Sequence, residues 1–151
     1  MKELKRILLA EDNPNDIEMT LEALSEYNLA NEVVVARDGA EALDYLYRRG
    51  DYKLRSEGNP AVVLLDLKMP KVDGLEVLKQ VKADDNLKAI PVVVLTSSHE
   101  EKDLVESYRL GTNAYVVKPV EFKDFVDAIW QLGAFWAILN EPPVGSLRKE
   151  K

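Results

Sequence analysis

The chain has 151 residues, of which 46% are hydrophobic and 31% charged, and its formal net charge at pH 7 is −7. This size and composition are typical of one globular domain with a sizeable core, and they exclude a disordered chain. The negative charge argues against nonspecific binding to DNA or to an anionic membrane, so we expect no nucleic-acid partner. The sequence has no cysteine and one histidine, which excludes a disulfide framework, a thiolate metal site and a multi-histidine metal site.

The first residues do not have the pattern of a secretory signal or a membrane anchor. Only the four apolar residues 7–10 separate Arg6 from Glu11, which is too few for a signal-peptide core or a membrane span. We therefore expect a cytoplasmic protein without a membrane partner.

Five short apolar runs predict β-strands, and each is followed by a segment that predicts a helix. The runs are residues 6–10, 32–36, 61–65, 92–95 and 114–117. Apolar residues recur at helical spacing after the first four runs, at Ile17, Leu21 and Leu24, at Ala42, Leu43 and Leu46, at Leu75, Leu78 and Val81, and at Leu104 and Tyr108. This alternation predicts an α/β fold with a parallel sheet and right-handed crossovers. Residues 49–60 have no period and predict a long loop.

The third run, residues 61–65, delivers one carboxylate to the end of a strand that is buried on both faces. Asp66 follows the run directly, and ligands of open parallel sheets collect outside the carboxyl ends of the strands. An isolated aspartate at such a place can also be a turn residue or a helix cap. The other strand ends distinguish these possibilities.

Charged and hydroxyl residues follow the other strands at the same edge of the predicted sheet. Glu11 and Asp12 end the first strand, Thr96 the fourth, and Lys118 the fifth. Clustered carboxylates stay ionised only with a cation among them, and an all-oxygen ligand set favours Mg²⁺. A lysine and a threonine beside them suit phosphoryl transfer, and without a glycine-rich phosphate loop the phosphoryl group would end on the protein, with Asp66 as the nucleophile.

The chain resembles the response-regulator receiver domains of two-component signalling. The matching residues are Glu11-Asp12, Asp66, Lys68-Met69-Pro70, Asp73-Gly74, Thr96-Ser97, Tyr115 and Lys118-Pro119. They cover about residues 5 to 130 in the right order. The resemblance implies a doubly wound, five-stranded, flavodoxin-like sheet of order 2-1-3-4-5. It also implies that a sensor histidine kinase or a phosphotransfer protein donates a phosphoryl group to Asp66.

The same resemblance implies a role for each matching site residue. Asp12, Asp66 and the backbone carbonyl of Lys68 would bind Mg²⁺, and Glu11 would act on the ion through water.

The remaining matches concern the response to phosphorylation. Lys118 would neutralise the phosphoryl group, Thr96 would hydrogen-bond it, and Tyr115 would change rotamer with it. The Lys118–Pro119 bond would be cis.

Two features are similar to a narrower group, the stand-alone receivers paired with cyanobacterial and other bacterial phytochromes. These features are the long loop 49–60 and an aromatic C-terminal helix that continues to about residue 140. We expect one receiver domain over residues 1–141 and a charged, disordered tail over residues 142–151. A second apolar stripe on the last helix, with Trp130 and Phe135, predicts a homodimer because a monomer would expose it.

Two other functions stay open at this point. An aspartate nucleophile after a buried strand also serves in haloacid-dehalogenase-like phosphatases, but these have a second carboxylate two residues on, where this chain has Lys68. A degenerate receiver that only binds partners would be expected to lack Asp12, Asp66 or Lys118. His99 has no neighbour that would activate it, so we interpret it as a solvated surface residue.

Overall fold

The computed structural model describes residues 6–25, 33–56, 58–118, 123–124, 127–128 and 131. The strands are β1 (Ile7–Ala10), β2 (Val33–Ala36), β3 (Val62–Leu65), β4 (Val92–Thr96) and β5 (Ala114–Val117). The helices are α1 (Pro14–Ser25), α2 (Gly39–Tyr47), α3 (Gly74–Ala83) and α4 (Glu101–Leu110), with a short 3₁₀ helix at Gly50–Tyr52. Residues 123–124, 127–128 and 131 are helical, as predicted for a last helix. No helix within these ranges has the length and apolar character needed to cross a membrane.

The strands form one parallel sheet in the order β2-β1-β3-β4-β5, which confirms the predicted fold. Adjacent residues of each central strand point to opposite faces, so the sheet has a core on each side. Leu8 and Val63 pack with α2 and α3 on one face. Leu9 and Leu64 pack with α1 on the other. Burial on both faces explains why β1, β3 and β4 are continuous apolar runs.

Helices α2 and α3 each begin directly after a capping aspartate. The side chains of Asp38 and Asp73 cap α2 and α3 by accepting hydrogen bonds from backbone N–H groups three residues on. Gly74 starts α3 against the backbone of Asp66, where a Cβ atom would lie 2.2 Å from the Asp66 carbonyl oxygen. Only glycine allows this approach, which brings the start of α3 against the end of β3.

Helix α4 does not pack through the apolar residues that predict it. Leu104 and Tyr108 are 39% and 54% exposed, whereas Asp103 and Ser107 are buried. The helical period is correct, but the buried face is polar because Asp103 forms a hydrogen bond with the loop before the helix.

The predicted loop 49–60 is ordered by hydrogen bonds where the structure describes it. The Tyr52 hydroxyl donates to Glu41 Oε2 at 2.6 Å, and Arg55 Nε donates to the Tyr45 carbonyl at 3.0 Å. The Arg55 guanidinium also lies 4.1 Å from the centre of the Tyr45 ring. These contacts attach the loop to α2, and the Tyr52 contact reaches the first turn of this helix beside the end of β2.

Candidate functional site

Three carboxylates lie together at the carboxyl edge of the sheet. Glu11, Asp12 and Asp66 each have an oxygen within 4.8 Å of the others. The backbone positions them, because the Glu11 amide donates to the Ala36 carbonyl and the Asp66 amide donates to the Ala10 carbonyl. Glu11 and Asp66 are buried, while Asp12 is accessible to solvent. The sequence prediction that these residues converge is therefore correct.

Lys118 enters this cluster from the end of β5. Its Nζ atom lies 2.5 Å from Glu11 Oε1, 2.8 Å from Asp16 Oδ2 and 3.3 Å from Asp66 Oδ2. The Lys118 side chain is only 8% exposed. Each of its three N–H donors thus has a carboxylate partner, which lets a buried ammonium group keep its charge.

The surroundings shift the proton affinities of Glu11 and Lys118 in the same direction. Burial raises the pKa of Glu11 to about 7, and the nearby Asp66 charge adds to this, while the hydrogen bond from Lys118 opposes it. Burial alone would lower the pKa of Lys118, but its hydrogen bonds to Asp16 and Glu11 and the charges of Glu11 and Asp66 raise it above its usual value.

Proton binding by Glu11 makes the stability of the fold depend on pH. Its folded-state pKa of about 7 lies above the ordinary value of 4.5, so the folded chain holds this proton more tightly than the unfolded chain. The resulting stabilisation is complete below pH 4.5 and is lost as the pH rises through about 7. Lys118 is the cation that favours the ionised form of Glu11 in this structure.

Asp16 belongs to this site, although the sequence analysis did not select it. It lies in the first turn of α1, where the Asn13 side chain accepts from its backbone N–H at 3.1 Å. An acidic residue in the first turn of a helix is stabilised by the helix dipole alone, so an aspartate at this position does not by itself indicate a function. Its spacing of four residues from Asp12, on a helix that begins between them, is the one available indication.

A second polar network surrounds the end of β4. Thr96 is fully buried, and its Oγ1 atom accepts from the Ser98 amide at 3.3 Å. The Tyr115 hydroxyl donates to the Ser98 carbonyl at 3.1 Å. Ser98 Oγ donates to Asp103 Oδ2 at 2.6 Å, and Lys68 Nζ lies 3.7 Å from the same oxygen. Ser98 therefore connects the two predicted switch residues with α4.

The other predicted residues have the following positions. The backbone amide of Lys68 donates to Asp66 Oδ1 at 3.3 Å, which places residue 68 beside the cluster. His99 is exposed, as predicted for a surface residue. The expected cis bond involves Pro119, which lies outside the described residues.

The donor set fits a hard divalent cation. The three carboxylates offer only oxygen atoms as ligands. Among the described residues, they form the acidic cluster whose oxygen atoms lie close enough together to hold a metal ion. One or two carboxylates completed by water and phosphate oxygens are the usual ligands of Mg²⁺. A cation would also offset the repulsion between Asp66 and ionised Glu11.

Comparisons with known proteins agree with this geometry. The family model of the response regulator receiver domain matches residues 7–130. The chain belongs to the response regulator receiver family.

The similar proteins are response regulators, and RtBRR and RcpA among them are described as phytochrome response regulators. Rcp1 of Synechocystis sp. (strain ATCC 27184 / PCC 6803 / Kazusa) is 40% identical over 132 residues, which cover 87% of this chain and 88% of Rcp1. The bacteriophytochrome response regulator RtBRR is 67% identical with a TM-score of 0.74, covering 95% of this chain and 87% of that one. The phosphorylated cyanobacterial phytochrome response regulator RcpA is 41% identical with a TM-score of 0.87, covering 93% and 99%.

These relatives establish a phosphoacceptor role in signalling, as in other receivers of this kind. A manganese-bound structure of Rcp1 is also similar, with 38% identity, a TM-score of 0.86 and coverage of 93% and 99%. Together with the oxygen-only cluster, it supports binding of a divalent metal.

Proposed function

We propose that Asp66 is the phosphoacceptor and that it receives its phosphoryl group from a phosphohistidine of a sensor histidine kinase or a phosphotransfer protein. The observation that carries this proposal is the placement of Asp66. It is 7% exposed at the end of β3, with Lys118 Nζ 3.3 Å from its Oδ2 atom. Its other oxygen accepts from the Lys68 amide, so the carboxylate is held in a fixed orientation.

The chemistry needs little beyond positioning and charge balance. An Asp66 oxygen attacks the phosphorus atom, the phosphorus–nitrogen bond to the donor histidine breaks, and the acyl phosphate stays on the protein. Lys118 neutralises the added charge because its ammonium group already lies beside Asp66. Glu11, Asp12, Asp66 and the Lys68 carbonyl would hold Mg²⁺, which supplies further charge neutralisation at the phosphoryl oxygens when bound.

Thr96 and Tyr115 would report the change to the surface of the protein. We propose that Thr96 donates its hydroxyl to the phosphoryl group and that the loop 97–100 follows it. The Ser98 carbonyl is the partner of the Tyr115 hydroxyl, so a shift of this loop changes the rotamer that Tyr115 favours. The Ser98–Asp103 hydrogen bond would carry the shift to α4.

The structure favours this role over that of an aspartate-nucleophile phosphatase. A phosphatase of that type needs a second carboxylate two residues after the nucleophile. That position holds Lys68, whose ammonium group faces Asp103 instead. The presence of Asp12, Asp66 and Lys118 in one cluster likewise argues against a receiver that only binds partners.

We expect acetyl phosphate to label the protein to at most one phosphoryl group per chain in the presence of Mg²⁺. The labelling should disappear with EDTA, because the site then lacks its neutralising cation. Intact-mass spectrometry measures the stoichiometry, and release of p-nitrophenol from p-nitrophenyl phosphate measures phosphatase turnover. Continuous turnover of the phosphomonoester would contradict the proposal, and so would metal-independent labelling.

We also propose that the donor is a phytochrome-type histidine kinase and that the protein works with it in the cytoplasm. The support for this donor is the similarity to RcpA and RtBRR rather than any contact within this chain. The single receiver domain over residues 1–141 and the tail over residues 142–151 also stay predictions from the sequence.

A homodimer through the C-terminal helix is a further part of the proposal, and it is supported by the sequence alone. The residues of its predicted interface lie outside the described ranges. Sedimentation velocity at micromolar concentration should show a dimer, and Phe135→Asp should dissociate it because it introduces a charge into an apolar interface. Gln131→Asp, at an exposed helical position, is the control. A clean monomer for the unmodified protein, with and without beryllofluoride, would exclude the dimer.

A further inference from the structure

The Lys118 ammonium group has three carboxylate partners, and they are not equivalent. Glu11 and Asp66 belong to the acidic cluster that fits a divalent cation, whereas Asp16 does not. The distance from Lys118 Nζ to Asp16 Oδ2 is 2.8 Å, shorter than the 3.3 Å to Asp66 Oδ2. Among these three partners of Lys118, Asp16 is thus the one that lies outside the acidic cluster.

The position of Asp16 is fixed by its own helix. The Asn13 side chain caps the turn that contains it, and the Thr20 hydroxyl donates to its carbonyl at 2.7 Å. Its carboxylate therefore lies at the rim of the site without rearrangement of α1, and its side chain is 25% exposed. Lys118 is more deeply buried, so it depends on its carboxylate partners for charge balance.

A divalent cation in the acidic cluster would compete with Lys118 for oxygen atoms of Glu11 and Asp66. When Glu11 and Asp66 turn toward a cation, the ammonium group loses hydrogen bonds that burial makes costly to break. A partner outside the cluster reduces this cost, because the ammonium group keeps one charge-assisted hydrogen bond. We propose that Asp16 is a positioning residue that holds Lys118 while the cluster binds its divalent cation. This inference rests on the metal site of the proposed function.

Asp16 would also affect Asp66 before phosphorylation. By drawing the ammonium group toward α1, it leaves the Asp66 carboxylate less neutralised and therefore a better nucleophile. Without Asp16, Lys118 would stay on Glu11 and Asp66 and would oppose the cation. The effect of Asp16 on metal affinity therefore passes through Lys118.

The test is isothermal titration of the metal-free protein with MgCl₂, which needs no phosphorylation. Asp16→Asn should weaken Mg²⁺ binding by about tenfold, the size expected from one lost charge-assisted hydrogen bond. Glu18→Gln removes the same charge from an exposed position of α1 and should change the affinity by less than about twofold. Equal effects of the two substitutions would overturn the inference, since a general charge effect would then suffice.

A double-mutant cycle separates action through Lys118 from a direct effect of Asp16. In a Lys118→Met background, Asp16→Asn should no longer weaken Mg²⁺ binding. A loss that persists in this background would overturn the inference.

A second measurement covers the possibility that Lys118→Met does not fold without metal. In ¹⁵N-lysine NMR spectra, the protected Lys118 ammonium signal should persist at saturating Mg²⁺ in the unmodified protein and vanish in Asp16→Asn. Loss of the signal in both proteins contradicts the inference. Failure of the unmodified protein to bind Mg²⁺ would instead refute the metal site of the proposed function. If the double-mutant cycle gives the expected Mg²⁺ affinities but acetyl phosphate does not label the protein, only the role of Asp66 as phosphoacceptor is refuted.

Discussion

Asp66→Asn is expected to abolish labelling of the protein by acetyl phosphate in the presence of Mg²⁺. The amide has nearly the size of the carboxylate but no nucleophilic oxygen charge, so the acyl phosphate cannot form. Labelling should fall to the background of a sample without phosphodonor, as measured by intact-mass spectrometry. Persistence at the level of the unmodified protein would place the phosphoryl group on another residue.

The loss of labelling in Asp66→Asn should not result from unfolding of the protein. In Asp66→Asn, Lys118 keeps Glu11 and Asp16 as partners, and the cluster loses one of its repelling charges. We therefore expect a melting temperature equal to or above that of the unmodified protein without metal. Asp85→Asn is the matched control, because Asp85 is exposed and pairs only with Lys88 among the described residues. This variant should label normally.

Lys118→Met is expected to lower the free energy of unfolding by about 3–5 kcal/mol at pH 8 without metal, the usual cost of removing one partner of a buried ion pair. Methionine keeps the length of the side chain but leaves the carboxylates of Glu11 and Asp66 buried without a cation. Added Mg²⁺ should restore part of the loss and should bind more tightly than in the unmodified protein, because the competing ammonium group is absent.

The loss of unfolding free energy in Lys118→Met should also depend on pH in a defined direction. The hydrogen bond from Lys118 lowers the pKa of Glu11, which burial raises to about 7, so its removal raises this pKa further. Glu11 in the variant then takes up its proton at a higher pH than in the unmodified protein, so the destabilisation shrinks as the pH falls toward about 7 and does not change further through Glu11 below that pH. Urea unfolding at pH 8 and pH 6, with EDTA or with Mg²⁺, measures both effects. Lys88→Met, at an exposed lysine, is the control, and an equal loss in both variants would contradict the assigned role.

The sequence predicts the sheet because burial on both faces requires continuous apolar runs. It also predicts most of the site, because parallel strands bring Glu11, Asp66 and Lys118 to one edge whatever their separation in the chain. The family resemblance adds the role of Tyr115 as a switch, which composition and spacing do not indicate. Neither source indicates which carboxylates share the Lys118 ammonium group, because that depends on side-chain distances of a few ångströms.

The two misjudged features have a common physical origin. Asp16 has the type and position of an ordinary first-turn acidic residue, so only its distance to Lys118 distinguishes it. Leu104 and Tyr108 have the spacing of a buried helical face, but α4 turns Asp103 and Ser107 inward. In both cases a specific hydrogen bond decides the arrangement, and hydrophobic periodicity contains no information about it.

The polar inner face of α4 affects how readily this helix can move. Helix α3, of the same length, is anchored by Val77, Leu78 and Val81, and moving it would expose apolar surface to water. Helix α4 buries Asp103 and Ser107 instead, so its position depends more on a hydrogen bond that can exchange partners than on apolar area that resists displacement. We therefore expect a displacement of α4 to expose less apolar surface than a displacement of α3, with the exposed Val105 and Tyr108 on the surface that would move.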